Sequence, residues 1–354
     1  MNHEPETADK IRFALVGCGH IGNRHAEQIV RCGSLVAVCD PIAEKTTDLA
    51  NRYGARTYAG LDKLLDSEAP GSIDVAVICT PNYLHASQSI AALEAGWHVL
   101  CEKPMSIRSS DAAAMIASAD KMSRRLFIVK QNRFNPPVRL LQRLLAEDRL
   151  GKIHSFQVNC FWNRPLSYYS TSGWRGIKEL DGGILFTQFS HFIDLLYWLL
   201  GDLQTAGAYQ GNFLRQGVLK GEDTGCVILQ MKNGAIGTLH YTITSYDQNM
   251  EGSITVFGEK GTVKIGGQYL NELEYFCVEG MESPPLPASR PANEYGFYRG
   301  SMSNHDKVYE ELVKALRGLP YDLPSAGEAA QTVVLIEKIG LAAQSKPGNI
   351  YIYL

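Results

Sequence analysis

The sequence lacks the marks of a secreted, membrane-spanning or metal-binding chain. Its eight cysteines include no CxxC pair and no zinc-ligand spacing, and most of them lie in apolar, strand-like runs. We therefore expect reduced thiols, no metal site and a cytoplasmic location. No apolar run approaches the ~18 residues of a membrane span, and the N-terminal segment MNHEPETADK contains no signal-peptide core.

A strong charge of either sign is also missing. The formal net charge is −3 over 354 residues, which gives no electrostatic reason to expect a nucleic-acid or membrane partner. With 45% hydrophobic and 20% charged residues, the composition is typical of a globular protein. The length is sufficient for two domains of ordinary size.

A glycine-rich turn near the N-terminus predicts a dinucleotide site. In IRFALVGCGHIGNRH (11–25), an apolar strand is followed by G-x-G-x-x-G and then by a helix. The first glycine permits the tight turn, the second lets a pyrophosphate approach the backbone, and the third lets helix and strand pack closely. The N–H groups at the helix N-terminus face the phosphates. From this turn we expect cofactor binding by Gly17, Gly19, His20, Ile21 and Gly22.

An acidic residue at the end of the next strand selects the cofactor. The strand LVAVCD (35–40) ends in Asp40, which lies 18 residues after Gly22. An acid at about this distance accepts hydrogen bonds from the adenosine ribose hydroxyls and repels a 2′-phosphate, so NAD is favoured over NADP. The alternative is an ordinary glycine turn followed by an unrelated aspartate.

Alternating strands and helices continue to about residue 132. Apolar, strand-like runs at 73–80, 97–103 and 126–132 alternate with helical patterns at 82–96 and 109–123. This rhythm predicts a parallel, doubly wound sheet, whose ligands bind beyond the carboxyl ends of the strands. Residues near these ends are therefore also expected to bind the cofactor, namely Thr80, Pro81, Asn82, His85, Glu102, Lys103 and Gln131.

The stretch HVLCEKPMS (98–106) is unusual because a strand that looks buried ends on a lysine beside a proline. At the carboxyl end of a strand, Lys103 would emerge into the nicotinamide crevice, whereas the alternative is a solvent-exposed turn lysine. Glu102 either orients Lys103 or contacts the cofactor, and the sequence leaves this choice open.

After about residue 136 the pattern changes to a helix and then to longer strands joined by hairpin turns. We predict an α/β protein with an N-terminal Rossmann domain (1–132) and a C-terminal α+β domain (133–354) built on a large, mostly antiparallel sheet. The closing helices at 303–318 and 325–345 could pack back on the first domain. A sheet with one uncovered face favours a homo-oligomer, either a dimer or a tetramer.

The segment DGGILFTQFSHFIDLLYWLLG (181–201) predicts one buried helix, because it is apolar almost throughout. Thr187 and His191 are four residues apart and would share a face of that helix, and Asp194 follows His191 by about one turn. A buried imidazole can take part in proton transfer. The alternative is a structural histidine that is bonded to a backbone carbonyl.

In this order, the motifs VGCGHIGNRH, CTPNYLH, CEKP and GG…H resemble the Gfo/Idh/MocA oxidoreductases over nearly the whole chain. Other segments, among them FIVKQNRFNP (127–136), GWRGIKELDGG (173–183) and YGF (295–297), resemble a bacterial subgroup, the UDP-N-acetylglucosaminuronate 3-dehydrogenases of O-antigen biosynthesis. This resemblance implies oxidation of a sugar C3 hydroxyl by hydride transfer to NAD, with Lys103 and His191 handling the proton. It also implies that 2-oxoglutarate can take the hydride back.

One position departs from the wider family pattern. Many members carry an aspartate four residues before the active-site histidine, where this chain has Thr187. A hydroxyl can hydrogen-bond a substrate but cannot act as a base, so the resemblance leaves the proton to Lys103 and His191. Both side chains, from different domains, would then have to act on the same sugar carbon.

A nucleotide-sugar acid carries a pyrophosphate and a carboxylate, which are best bound by arginine forks. Three arginines lie beside aromatic residues in the segments that carry the resemblance, although each could instead form a structural or surface ion pair. The residues that we expect to bind the substrate are Arg133, Asn163, Arg164, Tyr168, Trp174, Arg175, Thr187, Gln188 and His191.

Three other functions fit parts of the same pattern. One is another sugar or polyol dehydrogenase of this family, such as an inositol or glucoside 3-dehydrogenase, although the missing aspartate and the segments that pair arginine with aromatic residues argue mildly against it. The others are an NAD-dependent glycosidase and a non-enzymatic NAD-binding regulator. The retained lysine of the E-K-P motif argues against the regulator.

Overall fold

The computed structural model describes residues 10–69, 71–294 and 299–344, together with the backbone of Ile352–Tyr353. The chain divides into two compact units. The first comprises the chain up to Ser106, Ser110–Val129 and His305–Gly327, and the second comprises Ile107–Ser109, Lys130–Asn304 and the chain from Glu328 onward. The single domain boundary expected from the sequence lies after residue 132.

The first unit contains a parallel sheet with helices between its strands. The strands are β1 (Ile11–Val16), β2 (Gly33–Cys39), β3 (Arg56–Tyr58), β4 (Val75–Ile78), β5 (His98–Cys101) and β6 (Leu126–Ile128). The helices are α1 (His20–Cys32), α2 (Ala43–Tyr53), α3 (Leu61–Ser67), α4 (His85–Glu94) and α5 (Ser109–Lys121). The strand order is β3-β2-β1-β4-β5-β6, and every neighbouring pair is parallel. The predicted Rossmann sheet is therefore confirmed.

The strand order explains where a ligand of this sheet should bind. The chain runs outward from β1 to β3 and then returns to β4 on the other side of β1. This reversal opens a crevice at the carboxyl ends of β1 and β4. All four residues of β4 are fully buried, as a strand covered on both faces requires.

The remaining elements follow in the second half of the chain. The helices are α6 (Pro136–Ala146), α7 (Leu166–Ser170), α8 (Lys178–Asp181), α9 (Ile184–Thr187), α10 (Ser190–Leu200), α11 (His305–Leu316) and α12 (Ala326–Gln344). The strands are β7 (Ile153–Phe161), β8 (Leu203–Gly211), β9 (Thr224–Met231), β10 (Ile236–Thr242), β11 (Glu251–Gly258), β12 (Gly261–Gly266), β13 (Glu272–Val278), β14 (Ala292–Glu294), β15 (Arg299–Met302) and β16 (Ile352–Tyr353). Helix α11 belongs to the first unit and the other elements of this half to the second.

Eight strands of the second unit form one large sheet in the order β13-β12-β11-β7-β10-β9-β8-β16. Its neighbours are antiparallel except for β7 and β10, which run parallel, so the predicted, mostly antiparallel sheet is confirmed. Alternate residues of β9 are buried, and Val227, Leu229 and Met231 are at most 1% exposed. Burying each such side chain contributes roughly 1.5–3 kcal/mol.

The segment 181–201 is not the single helix that its apolar pattern predicts. Helix α9 ends at Thr187, α10 begins at Ser190, and the helical stretches on the two sides of this break are bent by 53°. At the break, the Gln188 amide bonds to two other side chains and Phe189 packs against Trp162. The prediction that Thr187 shares a continuous helix face with His191 is therefore wrong.

No single helix in the described part of the chain is long and apolar enough to cross a membrane. The bent stretch Lys178–Thr187 with Ser190–Leu200 passes the same test of length and composition only as a pair. The eight cysteines are unpaired.

Candidate active site

The loop between β1 and α1 has the shape of a phosphate-binding turn. Gly17 has a φ of +93°, and a Cβ at this residue would lie 2.7 Å from the backbone of Cys79. A Cβ on Gly22 would lie 2.1 Å from the carbonyl oxygen of Gly17. A Cβ on Gly19, by contrast, would meet no atom within 4 Å. The loop therefore requires glycine for its own packing at two positions and faces open space at Gly19, where a ligand can approach the backbone.

The start of α1 is also suited to an anion. Its N-cap residue is Gly19, which has no side chain to cap the first turn, and that turn contains no acidic residue. The backbone N–H groups of His20 and Ile21, in the first turn of the helix, can therefore donate hydrogen bonds to a phosphate. The helix dipole also favours an anion at this end.

Asp40, directly after β2, is held against the same loop. One carboxylate oxygen accepts the Cys18 N–H at 2.9 Å, and the other accepts the Ile42 N–H at 2.9 Å. A carboxylate oxygen has more than one acceptor position, so both oxygens can still accept hydrogen bonds from ribose hydroxyls. The residues of this loop thus fit NAD.

His85 does not have the position of a cofactor ligand. Its Nδ1 lies 2.7 Å from the carbonyl oxygen of Pro104, and its Nε2 lies 2.8 Å from that of Thr80. The ring is 1% exposed. Because both nitrogens face main-chain oxygens, His85 ties the end of β4 to the turn after β5, and its predicted contact with the cofactor is wrong. Thr80, Pro81 and Asn82 lie directly at this end of the sheet.

Glu102, directly after β5, lies in a buried cluster. One carboxylate oxygen is 2.9 Å from His25 Nε2 and 3.3 Å from His305 Nε2. The other oxygen accepts the N–H of Lys103 at 3.0 Å. Burial opposes ionisation of this carboxyl, but the hydrogen bonds from the two imidazoles hold the pKa of Glu102 well below its ordinary value. Of the two roles left open by the sequence, the geometry favours orientation of Lys103, whose side chain is half-buried.

His191 occupies the first turn of α10 in the second unit and is 4% exposed. Its Nε2 lies 3.4 Å from the side-chain nitrogen of Gln131 and 3.5 Å from the hydroxyl of Ser301. Gln131, expected on a strand as a cofactor ligand, lies on a 3₁₀ turn and also donates to Ser301 at 3.1 Å. Sequence reasoning missed Ser301, because a residue of the short strand β15 gives no local signal of a contact 110 residues away.

Arg133 does not present its guanidinium to a substrate. Its Nε and Nη2 both donate to Asp194 at 2.8 Å, and its Nη1 donates to Glu328 at 2.5 Å. Lys130 Nζ also lies 3.0 Å from Asp194. Burial opposes ionisation of Asp194, but the two cations outweigh it and hold its pKa at about 2. The expectation of substrate binding by Arg133 is therefore corrected to a buried ion-pair network.

Arg164 is likewise engaged by the protein. It is 1% exposed. Its Nε donates to Gln188 at 2.6 Å, and its Nη1 donates to the carbonyl oxygen of Asn163 at 2.6 Å and to Asn249 at 3.2 Å. The Gln188 amide in turn donates to the Tyr168 hydroxyl at 2.8 Å. Gln188 and Arg164 are thus hydrogen-bonded to each other and to neighbouring protein groups. Their predicted role as substrate ligands is corrected to a structural one.

Arg175 differs from these two arginines. Its guanidinium lies over the ring of Tyr168 at 4.4 Å and over that of Trp174 at 5.3 Å. Its buried Nε has no hydrogen-bond partner among the described residues. An arginine that is stacked on aromatic rings and has an unsatisfied N–H retains donors for an anion.

Thr187, at the end of α9, donates to the Gly183 carbonyl at 3.2 Å. The motif at 295–297 lies outside the described residues.

The fold and the loop around Gly17 define a dinucleotide-binding oxidoreductase. A family model described as "Oxidoreductase family, NAD-binding Rossmann fold" matches residues 11–130, and the "GFO/IDH/MocA C-terminal domain" matches residues 138–264. The chain belongs to the Gfo/Idh/MocA family of oxidoreductases. It is an NAD-dependent dehydrogenase of the sugar and polyol class, acting on CH–OH groups.

Solved structures resemble the whole chain. One is the WlbA dehydrogenase of Chromobacterium violaceum in complex with NADH and UDP-GlcNAcA, with 36% identity, a TM-score of 0.86 and coverage of 98% of this chain and 97% of that one. The WlbA dehydrogenase of Bordetella pertussis, with the same ligands, has 35% identity, a TM-score of 0.84 and coverage of 98% and 99%. Myo-inositol 2-dehydrogenase of Thermotoga maritima is 26% identical over 264 residues, covering 72% of this chain and 74% of that protein.

Proposed function

We propose that this enzyme oxidises the C3 hydroxyl of a nucleotide sugar of the UDP-N-acetylglucosaminuronate type. The observation that carries this proposal is the similarity to the Chromobacterium violaceum dehydrogenase, at 36% identity over 98% of this chain, whose structure contains NADH and UDP-GlcNAcA. Similarity at this level and over both units extends beyond the shared fold.

The chain's own residues divide the work of such a reaction. NAD, when bound, accepts the hydride from the sugar carbon. The turn at Gly19 and the carboxylate of Asp40 hold its pyrophosphate and ribose. We assign the proton of the reacting hydroxyl to Lys103 and His191. Thr187 can hydrogen-bond a sugar hydroxyl, but it cannot act as a base.

We assign the anionic part of the substrate to Arg175. The rings of Tyr168 and Trp174 hold its guanidinium at 4.4 and 5.3 Å, and its unsatisfied Nε is a donor that a phosphate or carboxylate can use. Arg133 and Arg164 are left out of this proposal because their donors already bond to protein groups.

The direct test is incubation of the purified enzyme with UDP-N-acetylglucosaminuronate, NAD and 2-oxoglutarate. We expect the 3-keto nucleotide sugar and 2-hydroxyglutarate, the latter if 2-oxoglutarate regenerates NAD. Absence of turnover by a preparation shown to contain NAD would refute the proposed substrate. Turnover with NAD alone would retain the substrate and remove 2-oxoglutarate.

The assigned catalytic lysine has its own test. Lys103→Met should lower kcat at least ~10²-fold while NAD binding is retained, because proton transfer by a positioned group contributes about that much. The matched control is Lys121→Met, an exposed lysine of α5 in the same unit. Equal rates for the two variants would remove Lys103 from the mechanism.

A second candidate is oxidation of a free polyol or simple sugar. Its support is the similarity to curated relatives such as the myo-inositol 2-dehydrogenase, which extends over 72% of this chain at 26% identity. A substrate panel in which each sugar is offered with and without the UDP group separates the two candidates. Faster turnover of the sugars without UDP would favour the second.

We also infer that the enzyme is a homo-oligomer that uses the uncovered face of the large sheet. That face carries exposed apolar side chains, with Ile228 56%, Ile236 57% and Tyr275 53% exposed. The first two lie on neighbouring strands whose register places them on the same side. Light scattering should give a dimer or tetramer, and Ile228→Glu should lower the mass towards that of the monomer. A monomeric wild-type enzyme would contradict the inference.

A further inference from the structure

We propose that Glu102, together with His25, His305 and Tyr309, is a positioning unit that fixes the main chain of Lys103 for proton transfer. This inference rests on the proposed role of Lys103. It adds His25, His305 and Tyr309, to which the sequence analysis assigned no role, and it gives the glutamate of the E-K-P motif a function other than cofactor binding.

The hydrogen bonds of the cluster all run towards the carboxylate, from Tyr309 to His25 and from His25 to Glu102. The Tyr309 hydroxyl lies 2.8 Å from His25 Nδ1, and His25 Nε2 lies 2.9 Å from Glu102 Oε1. Burial raises the pKa of the tyrosine well above its ordinary value, so its hydroxyl stays protonated and donates. Burial lowers the pKa of His25, although its hydrogen bond to Glu102 opposes this shift. A neutral His25 thus accepts at Nδ1 and donates from Nε2.

The cluster ends at the lysine's own backbone. The second oxygen of Glu102 accepts the Lys103 N–H at 3.0 Å, and His305 Nε2 donates to the first oxygen at 3.3 Å. All four side chains of the cluster are at most 5% exposed, so water does not compete for the carboxylate. A carboxylate held from one side by α1 and α11 can therefore hold the turn of Lys103 from the other.

The sequence separations show why this arrangement matters for the lysine. His25 is 77 residues from Glu102, and His305 is 203 residues from it. The position of Lys103 thus depends on the packed helices of the first unit and not only on its own turn. Misplacement of a reacting group by about 1 Å can cost ~10²-fold in rate.

The side chains of His25, Glu102 and His305 also have the composition of a metal site, since their ligand atoms all lie within 4.8 Å of one another. The 2.9 Å separation of His25 Nε2 and Glu102 Oε1 is that of two atoms sharing a proton, whereas two ligands of a tetrahedral zinc ion lie about 3.3 Å apart. Tyr309 and the Lys103 N–H complete a hydrogen-bonded set, so we assign a proton and not a metal to this contact.

The test uses Glu102→Gln, Glu102→Asp and Tyr309→Phe in the full-length enzyme. Glutamine keeps the volume but turns one acceptor into a donor that faces an N–H, so kcat should fall ~10²-fold. Aspartate keeps the charge and should recover part of this loss. Removal of the Tyr309 hydroxyl should cost roughly 10-fold. Tyr58→Phe, which removes a part-buried hydroxyl bonded to Glu68 elsewhere in the same unit, should retain the wild-type rate.

The split between kinetic constants distinguishes positioning from binding. For all three variants, KM for the nucleotide sugar and the Kd for NAD should stay within about 2-fold of wild type. A Kd for NAD that rises as much as kcat falls would assign Glu102 to the cofactor and overturn the inference. An unchanged kcat in Glu102→Gln would overturn it too, as would a stoichiometric metal in the wild type that this variant loses.

One arm does not depend on the substrate. Glu102→Gln should speed hydrogen exchange of the Lys103 amide, read from peptides that span 102–106 and compared with Tyr58→Phe. If the wild-type enzyme fails to oxidise the nucleotide sugar, the proposed function fails while this measurement still reports on the contact. Unchanged exchange at Lys103 would refute the positioning unit even in an active enzyme.

Discussion

Each unit of this protein contains a buried carboxylate that bonds to distant parts of the chain, Glu102 in the first and Asp194 in the second, and the two are held in different ways. Asp194 in the second unit is bonded to Lys130 and Arg133, so cations balance its charge. Glu102 in the first unit is bonded to two imidazoles and to the main chain of Lys103. The first arrangement joins elements of the unit through charge, whereas the second is built around one backbone N–H. Burial alone therefore does not distinguish a carboxylate balanced by cations from one held by imidazoles and a backbone N–H.

The largest effect on stability should come from removing the charge of Asp194, which balances Lys130 and Arg133. Asp194→Asn leaves Lys130 and Arg133 without the carboxylate that balances their charge, so we expect a loss of about 3–5 kcal/mol in the free energy of unfolding. The control is Asp202→Asn, whose partner Lys232 lies 2.7 Å away on the surface and which should cost less than about 1 kcal/mol. Chemical denaturation measures both. Similar small losses would show that the buried network does not stabilise the unit.

The pH dependence sharpens the same contrast. The pKa of Asp194 is about 2 in the folded chain, below the ~3.9 of an unfolded aspartate. Its ionised form therefore stabilises the fold above about pH 4, and this contribution, about 3 kcal/mol, is lost as the pH falls towards 2. The stability difference between wild type and Asp194→Asn should shrink over that interval. A difference that is constant from pH 6 to pH 2 would contradict the depressed pKa.

Arg175 and Arg133 differ in the same way as the two carboxylates, because only the donors of Arg133 are occupied by a buried acid. Arg175→Lys should raise KM for the nucleotide sugar about 10-fold with kcat nearly unchanged, about 1.4 kcal/mol of binding, since lysine loses the planar fork. Arg133→Lys should instead lower stability, because its fork binds Asp194. Arg143→Lys, on an exposed position of α6, should change neither. An Arg175 variant with wild-type KM would remove this residue from the substrate site.

The sequence predicted those parts of the site that are coded by short-range patterns. The spacing of Gly17, Gly19 and Gly22 and the acid at Asp40 lie within 24 residues of one another, and each reflects the backbone of one strand–turn–helix unit. The parallel order of the first sheet and the hairpins of the second follow in the same way from periodicity and turn residues. The resemblance to a family then named Lys103 and His191 as candidates.

Two of the predictions that failed concern arginines whose partners lie 61 and 24 residues away in the chain. The neighbouring sequence does not distinguish these arginines from Arg175. Arg133 and Arg164 donate hydrogen bonds to Asp194 and Gln188, whereas the Nε of Arg175 has no partner among the described residues. The bend at Gln188 was missed for another reason, because the apolar pattern of the sequence continues through it.

The sequence by itself determined the two kinds of sheet, the NAD-binding turn and the residues that could carry the chemistry, because these depend on backbone conformation and on contacts within one strand–helix unit. Only the tertiary structure decided which polar side chains are already bonded to the protein. A buried charged group must find partners wherever the fold brings them, as Glu102 does with His305 on α11.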